Sequence, residues 1–176
     1  YYVRYDIAAA LTDMSFAHTA SRTAEKQGKL ARLHLKIDTG MGRIGFLPEE
    51  LAKILPELKS LPCLDIEGVF THFATADEPN LDYTHWQFKR FAKALDILEE
   101  YGIKTRLRHV CNSPATLNTP DYHLDAVRPG LILYGMWPSE TCSRPFELKP
   151  VFQIKTEVAV LRTLPLGSGV GYGLRY

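Results

Sequence analysis

With 176 residues, of which 45% are hydrophobic and 23% charged, the chain can bury a real core and falls in the ordinary globular class, as one domain or a domain plus an appendage. A net charge of +1, with no Lys/Arg cluster interleaved with aromatics, argues against nucleic acid as a partner. Cys63, Cys111 and Cys142 lack CxxC or Cys/His spacing and read as reduced thiols of a cytosolic protein without a structural metal; no apolar run reaches membrane-span length, and the start Tyr1-Tyr2-Val3-Arg4 does not have a signal-peptide layout.

In chain order, a first helix is expected over residues 21–29, feeding a strand over 31–38 in which Leu33, Leu35 and Ile37 alternate with Arg32, His34, Lys36 and Asp38. That strand delivers Lys36, Asp38 and Arg43 into a turn containing Gly40, Gly42 and Gly45. By itself this is equally an edge strand with a solvated face. Pro48-Glu49-Glu50 opens a second helix with Leu51, Ile54, Leu55 and Leu58 on one face, and Pro56 should disturb its last turn. A strand over 64–70 runs into Thr71-His72-Phe73-Ala74-Thr75-Ala76-Asp77. The long helix over 81–101 presents Phe88, Phe91, Ala92, Leu95 and Leu98, with Gly102 placed to end it. Strands follow over 106–111 and 124–127, with 131–134 a third or a continuation. Prolines between 137 and 150 interrupt every period, and an alternating antiparallel-type strand begins at Val151. The order predicts an α/β fold with a second, all-β domain beginning near its end.

Polar residues of unusual type stand after each α/β strand: Lys36 and Asp38, then His72, then Asn112 and Ser113, then Arg128. In a parallel sheet the carboxyl ends of the strands share one face, where sites are built. Each residue has a plain structural role open to it: His72 as a core histidine, Ser113 as a helix cap, Arg128 as an ion-pair partner. Four strand ends pointing the same way outweigh those separate readings.

Five stretches in one order then resemble alanine racemase. They are Lys-x-Asp-Thr-Gly-Met-Gly-Arg-x-Gly from Lys36, Thr-His-Phe-Ala-Thr-Ala-Asp from Thr71, Asn112-Ser113, Val-Arg-Pro-Gly-Leu-Ile-Leu-Tyr-Gly from Val127, and Gly-Tyr-Gly-x-x-Tyr from Gly171. The resemblance implies a fold-type III enzyme, a TIM-type (β/α)8 barrel holding pyridoxal 5'-phosphate followed by a β domain, paired head to tail as a homodimer. It implies that Asn112, Ser113, Gly130 and Leu131 lie at the cofactor phosphate and that Arg128 faces the pyridine nitrogen. A guanidinium has no proton to give at accessible pH, so it would keep that nitrogen unprotonated and weaken the ring as an electron sink. His72 would link Arg128 to a catalytic phenol. Tyr172 matches the tyrosine base, reaching the other subunit's site, where His72 and Arg43 are expected to supply the cationic field a phenol needs to act near neutrality. Outside the resemblance, Tyr172 reads as a turn aromatic between glycines. Arg43 would hold the substrate carboxylate, with Lys36, carbamylated in some members, behind it.

The lysine that anchors the cofactor as a Schiff base sits, in this family, in an Ala-Asn-Ala-Tyr-Gly-His context on the first barrel strand. No lysine here has that context. The chain, which begins without methionine, is therefore expected to be a central fragment of a cytoplasmic alanine racemase and inactive alone. Its expected parts are a partial barrel over 1–136, a linker over 137–150 and the start of a β domain over 151–176. The parent would interconvert L- and D-alanine by two-base proton transfer, supplying D-alanine for peptidoglycan. The alternatives are a racemase of the same family acting on serine or another amino acid, or, for the isolated chain, a non-catalytic fragment.

Overall fold

A computed structural model describes residues 1–174. Four strands, β1 (Ala9–Leu11), β2 (Ala31–Lys36), β3 (Leu64–Phe70) and β4 (Leu107–His109), form one open sheet in the order β1-β2-β3-β4, every neighbouring pair parallel. The connections carry helices α1 (Met14–Gln27), α2 (Leu51–Ser60) and α3 (Asp82–Glu100), with α4 (Ser113–Asn118) following β4. This is the α/β alternation expected from the sequence. Leu33, Leu35, Ile37 and Val69 from the sheet pack with Leu51, Leu55 and Leu58 of α2 and Phe91, Ala94 and Leu98 of α3. Each fully buried leucine contributes roughly 2 kcal/mol of transfer free energy.

Helix α1 starts seven residues before the position expected. Its buried stripe is Ala17, Ala20, Ser21 and Ala24, at i, i+3, i+4 and i+7, so the right period is carried by small residues of little hydrophobic weight. Asp13 caps it, accepting a hydrogen bond from the Phe16 amide, and Gly28 ends it with φ of 59°. Pro56 does not disturb the end of α2, which continues to Ser60. A proline at this position leaves the Ala52 carbonyl without its helical donor, and the Tyr101 hydroxyl donates to that carbonyl at 3.2 Å.

Beyond β4 the expected strands shrink. Residues 124–127 contribute one bridge, Ala126 to His109, and residues 131–134 form a 3-10 turn rather than a strand. Pro129 and Gly130 break the extended run. Residues 151–174 pair with no strand among the described residues and are exposed. Their alternation gives a face that could be buried, but nothing described covers it. Tyr176, the last residue of the Gly-Tyr-Gly-x-x-Tyr stretch, lies outside the described residues.

Between β2 and β3 the register skips one residue: Leu33 pairs with Ile66 and His34 with Gly68, leaving Glu67 as the extra residue of a bulge. An added Cβ at Gly68 would meet the His34 ring, with Cε1 2.6 Å away. The bulge and the missing side chain let His34 lie flat across β3.

Candidate active site

The carboxyl ends of β2, β3 and β4 bring Lys36, Asp38, Arg43, His72, Asn112, Ser113 and Arg128 to one end of the sheet. The glycine turn is built on Asp38, whose Oδ1 accepts from the amides of Gly40 (3.0 Å) and Gly42 (3.1 Å). Burial opposes ionisation of Asp38, but these amides and the charge of Lys36 outweigh it and hold the carboxyl below its usual range. Phe46 closes the turn, its amide donating to the Lys36 carbonyl and its carbonyl accepting from the Asp38 amide. Gly45 has φ of 107°, and a Cβ there would stand 2.5 Å from Lys36 Cγ, so the close return of the chain over Lys36 requires glycine.

Lys36 is buried, 2% exposed, and forms no ion pair with a carboxylate among the described residues. Nζ donates to the Ile37 carbonyl at 2.8 Å and lies over the Phe70 ring. Burial pushes its pKa down to about 8; Asp38 opposes the shift, and Arg128 and Arg43 add to it. Arg43 stands exposed at the tip of the turn.

Arg128 is held from all sides by acceptors that carry no charge. Nη1 donates to His109 Nδ1 (2.8 Å) and to the His109 carbonyl (2.8 Å). Nη2 donates to the carbonyls of Thr71 (2.7 Å) and Val110 (3.3 Å) and faces His72 Nδ1 at 3.4 Å. Among the described residues its Nε donates to none, and no carboxylate pairs with it. Burial accordingly lowers its pKa from the ordinary arginine value.

The bond from Arg128 makes His109 Nδ1 an acceptor and leaves the ring proton on Nε2. His109 Nε2 then donates to His34 Nδ1 (2.7 Å), and His34 Nε2 to Glu67 Oε1 (3.1 Å). One donor direction thus runs from Arg128 across β4 and β2 to a carboxylate on β3. Arg32, Arg106 and His34 bind Glu67, and against the cost of burial they hold its pKa at about 2. Burial, with Arg128 and His34 beside it, holds His109 at about 4.

His72 is likewise pushed to about 4, by burial first and then by Arg128, Arg43 and Lys36. It is neutral near neutral pH, which corrects the expectation that it supplies a cationic field: the permanent positive charges at this end of the sheet are Arg43 and Arg128. With Nδ1 turned to Arg128, the proton sits on Nε2, a donor.

Asn112 caps α4, its Oδ1 accepting from the Ala115 amide at 3.2 Å, and its Nδ2 donates to the Phe73 carbonyl. Ser113 is nearly buried; its Oγ accepts from the Gly130 amide (2.7 Å) and weakly from the Ile132 amide (3.5 Å). The hydroxyl and two amides therefore converge, and the serine proton has no acceptor among the described residues. With both amides spent on its oxygen, the serine O–H is left as a donor that suits an anion. Leu131 opens the 3-10 turn beside Gly130. Tyr172 is fully exposed in the turn Tyr172–Leu174 and makes no side-chain hydrogen bond to a described residue. Among the described residues no cluster of metal-ligating side chains occurs, and no helix is long and apolar enough to cross a membrane.

His34, Glu67 and His109 were not among the candidates drawn from sequence. The visible signal was the polar face of β2, where His34 stands two residues before Lys36.

A family model described as "Alanine racemase, N-terminal domain" matches residues 1–138. The alanine racemase of Desulforamulus reducens is 43% identical over 177 residues, covering 99% of this chain and 48% of that protein. Among solved structures, an alanine racemase of Clostridium difficile 630 superposes with a TM-score of 0.87 at 38% identity, covering 99% of this chain and 46% of that one. Alanine racemase from Streptomyces lavendulae gives 0.89 at 34% identity, covering 99% and 47%. The chain spans about half the length of the relatives it matches.

Proposed function

Because the chain belongs to the alanine racemase family, we propose that it forms the cofactor- and substrate-holding part of a pyridoxal-phosphate-dependent racemase that interconverts L- and D-alanine. The observation that carries this reading is Arg128, a half-buried cation with both Nη groups committed inside the chain and Nε donating to no described residue, near the Ser113 hydroxyl, whose oxygen is held by the Gly130 and Ile132 amides. A cation and an anion-binding pocket at one sheet end fit a group that carries both an aromatic nitrogen and a phosphate. When bound, pyridoxal phosphate supplies electron withdrawal that acidifies the substrate Cα–H bond.

In this reading Ser113 and the amides of Gly130 and Leu131, positioned with Asn112, hold the phosphate. Arg128 Nε would donate to the pyridine nitrogen and could not protonate it, which would moderate the withdrawal and favour return of a proton to Cα over side reactions. Arg43 binds the substrate carboxylate. The neutral fraction of Lys36, substantial with a pKa of about 8, supports a carbamate at Nζ as the anion that orients Arg43. His72 Nε2–H steadies the phenolate of Tyr172, supplied by a second copy in a homodimer, which takes or returns a proton on one face. The exposure of Tyr172 supports that placement. The second base is an anchoring lysine in sequence outside this chain. Residues 1–136 act as a partial barrel, 137–150 as a linker and 151–176 as the start of a β domain. The setting is the bacterial cytoplasm, with D-alanine feeding peptidoglycan.

Full-length protein containing these residues, supplied with pyridoxal phosphate, should form D-alanine from L-alanine, followed by chiral chromatography. Failure to do so, or a preference for serine, would overturn the assignment. The isolated chain should take no cofactor label after borohydride reduction; a label would contradict the missing lysine.

A further inference from the structure

The buried face of α3 carries a polar residue that hydrophobic packing does not call for. Gln87 is fully buried. Its Nε2 donates to Thr39 Oγ1 (3.2 Å) and to the His72 carbonyl (3.1 Å), and its Oε1 accepts from the Ala74 amide at 2.8 Å. The partners fix the orientation of the amide, because a backbone N–H can only donate and a carbonyl can only accept. Thr39, itself buried, shares a 2.7 Å hydrogen bond with buried Thr71. One side chain thus ties the turn after β2, which carries Arg43, to the segment after β3, which carries His72.

Neighbouring contacts act on one loop each. The Tyr83 hydroxyl, one helical turn before Gln87, donates to the Gly40 carbonyl at 2.9 Å, and a Cβ on Gly40 would meet that hydroxyl at 2.5 Å. Asn112 Nδ2 holds the Phe73 carbonyl. Beside the direct Thr39–Thr71 bond, Gln87 spans both loops from α3 and holds the backbone of the His72 segment as well. A leucine of similar volume would fill the space but leave the Ala74 amide and the His72 carbonyl unpaired, at a cost of about 1–3 kcal/mol for each buried group.

We propose that Gln87 is a positioning residue, fixing from α3 the relation between the Arg43 turn and the His72 segment so that substrate carboxylate and proton-moving groups meet in register. This rests on the functional reading above, in which Arg43 and His72 serve racemisation.

The test uses the full-length racemase with Gln87→Leu, Gln87→Glu and Tyr83→Phe. Hydrogen exchange of residues 39–45 and 71–76 should rise about tenfold or more in Gln87→Leu, while β3 and the rest of α3 keep their protection. In kinetics, Gln87→Leu should raise KM and lower kcat, each by about tenfold, whereas Tyr83→Phe, which releases the Arg43 turn alone, should raise KM and leave kcat nearly unchanged. Gln87→Glu can accept from Ala74 but donates only when protonated. Its kcat/KM relative to wild type should therefore recover as pH falls from about 9 to about 6, since burial raises a carboxyl pKa. Unchanged loop exchange, exchange rising equally throughout the chain, or a Gln87→Glu ratio flat with pH would each overturn the proposal. The exchange readout needs no activity. A wild type that fails to racemise alanine would sink the functional reading and leave exchange to decide the role of Gln87.

Discussion

Acid should weaken the fold of the 176-residue chain through His109 before the carboxylates are reached. Burial, Arg128 and His34 lower its pKa from 6.5 to about 4 in the folded state. Below about pH 6.5 the unfolded chain binds a proton that the folded chain refuses, so the stability contributed by neutral His109 is complete above that pH. It declines as pH falls and is lost by about pH 4. The shift corresponds to about 3 kcal/mol, with a maximal slope of about 1.4 kcal/mol per pH unit from this one group. His72, also at about 4, pulls in the same window but from a more open position and adds less. Glu67 acts lower: its folded pKa of about 2 means that its contribution is intact above the ordinary 4.5 and is lost between 4.5 and about 2. Urea unfolding by circular dichroism in steps from about pH 7 to about pH 4 measures the loss, and imidazole proton NMR identifies the group. His109→Gln should be less stable near neutrality and have a shallower slope above pH 4, by about one proton. A folded-state His109 that titrates near 6.5, or a variant slope equal to that of wild type, would refute the reasoning.

Three other outcomes are expected. Ser113→Ala leaves the Gly130 and Ile132 amides without their acceptor and removes a donor from the phosphate site, so full-length protein should bind pyridoxal phosphate about tenfold more weakly in an absorbance titration. Arg128→Glu places a protonatable group against the pyridine nitrogen; pyruvate formed per racemisation event should rise, and an unchanged ratio would count against that role. Gly68→Ala drives a methyl group into the His34 ring and breaks its bond to His109, destabilising the chain by about 2 kcal/mol in urea, whereas a neutral substitution would mean that the bulge can yield.

Elements with a local signature were legible. The β3 range matches the sequence reading at both ends, and α3 differs by one residue at each end, because apolar period, preceding turn and Gly102 agree there. Helix α1 and the short β1 were misplaced or missed. An alanine stripe has little amphipathic contrast, and three residues carry no period. The strand expected over 131–134 fails for another reason: β-branched and aromatic content suits extended structure, but Gly130 is captured by Ser113 and the chain turns. In the site, Lys36, Arg43, His72, Asn112, Ser113 and Arg128 could be named because each ends or follows a stretch that reads as a strand in the sequence. Gln87 could not, since its position on α3 looked like one more place on a helix face.

What the sequence determined alone was therefore the kind of fold, the family and the chemically unusual residues at the strand ends, all of which depend on local order along the chain. Tertiary structure alone decided their protonation and hydrogen-bond direction. His72 and His109 are ordinary histidines in a list of residues. They become neutral because burial and Arg128, brought from a later segment, act on them together, and electrostatic fields sum over space rather than along the chain. The bulge at Glu67, the gap at Gly68 and the line from Arg128 to Glu67 exist only once β2, β3 and β4 lie side by side.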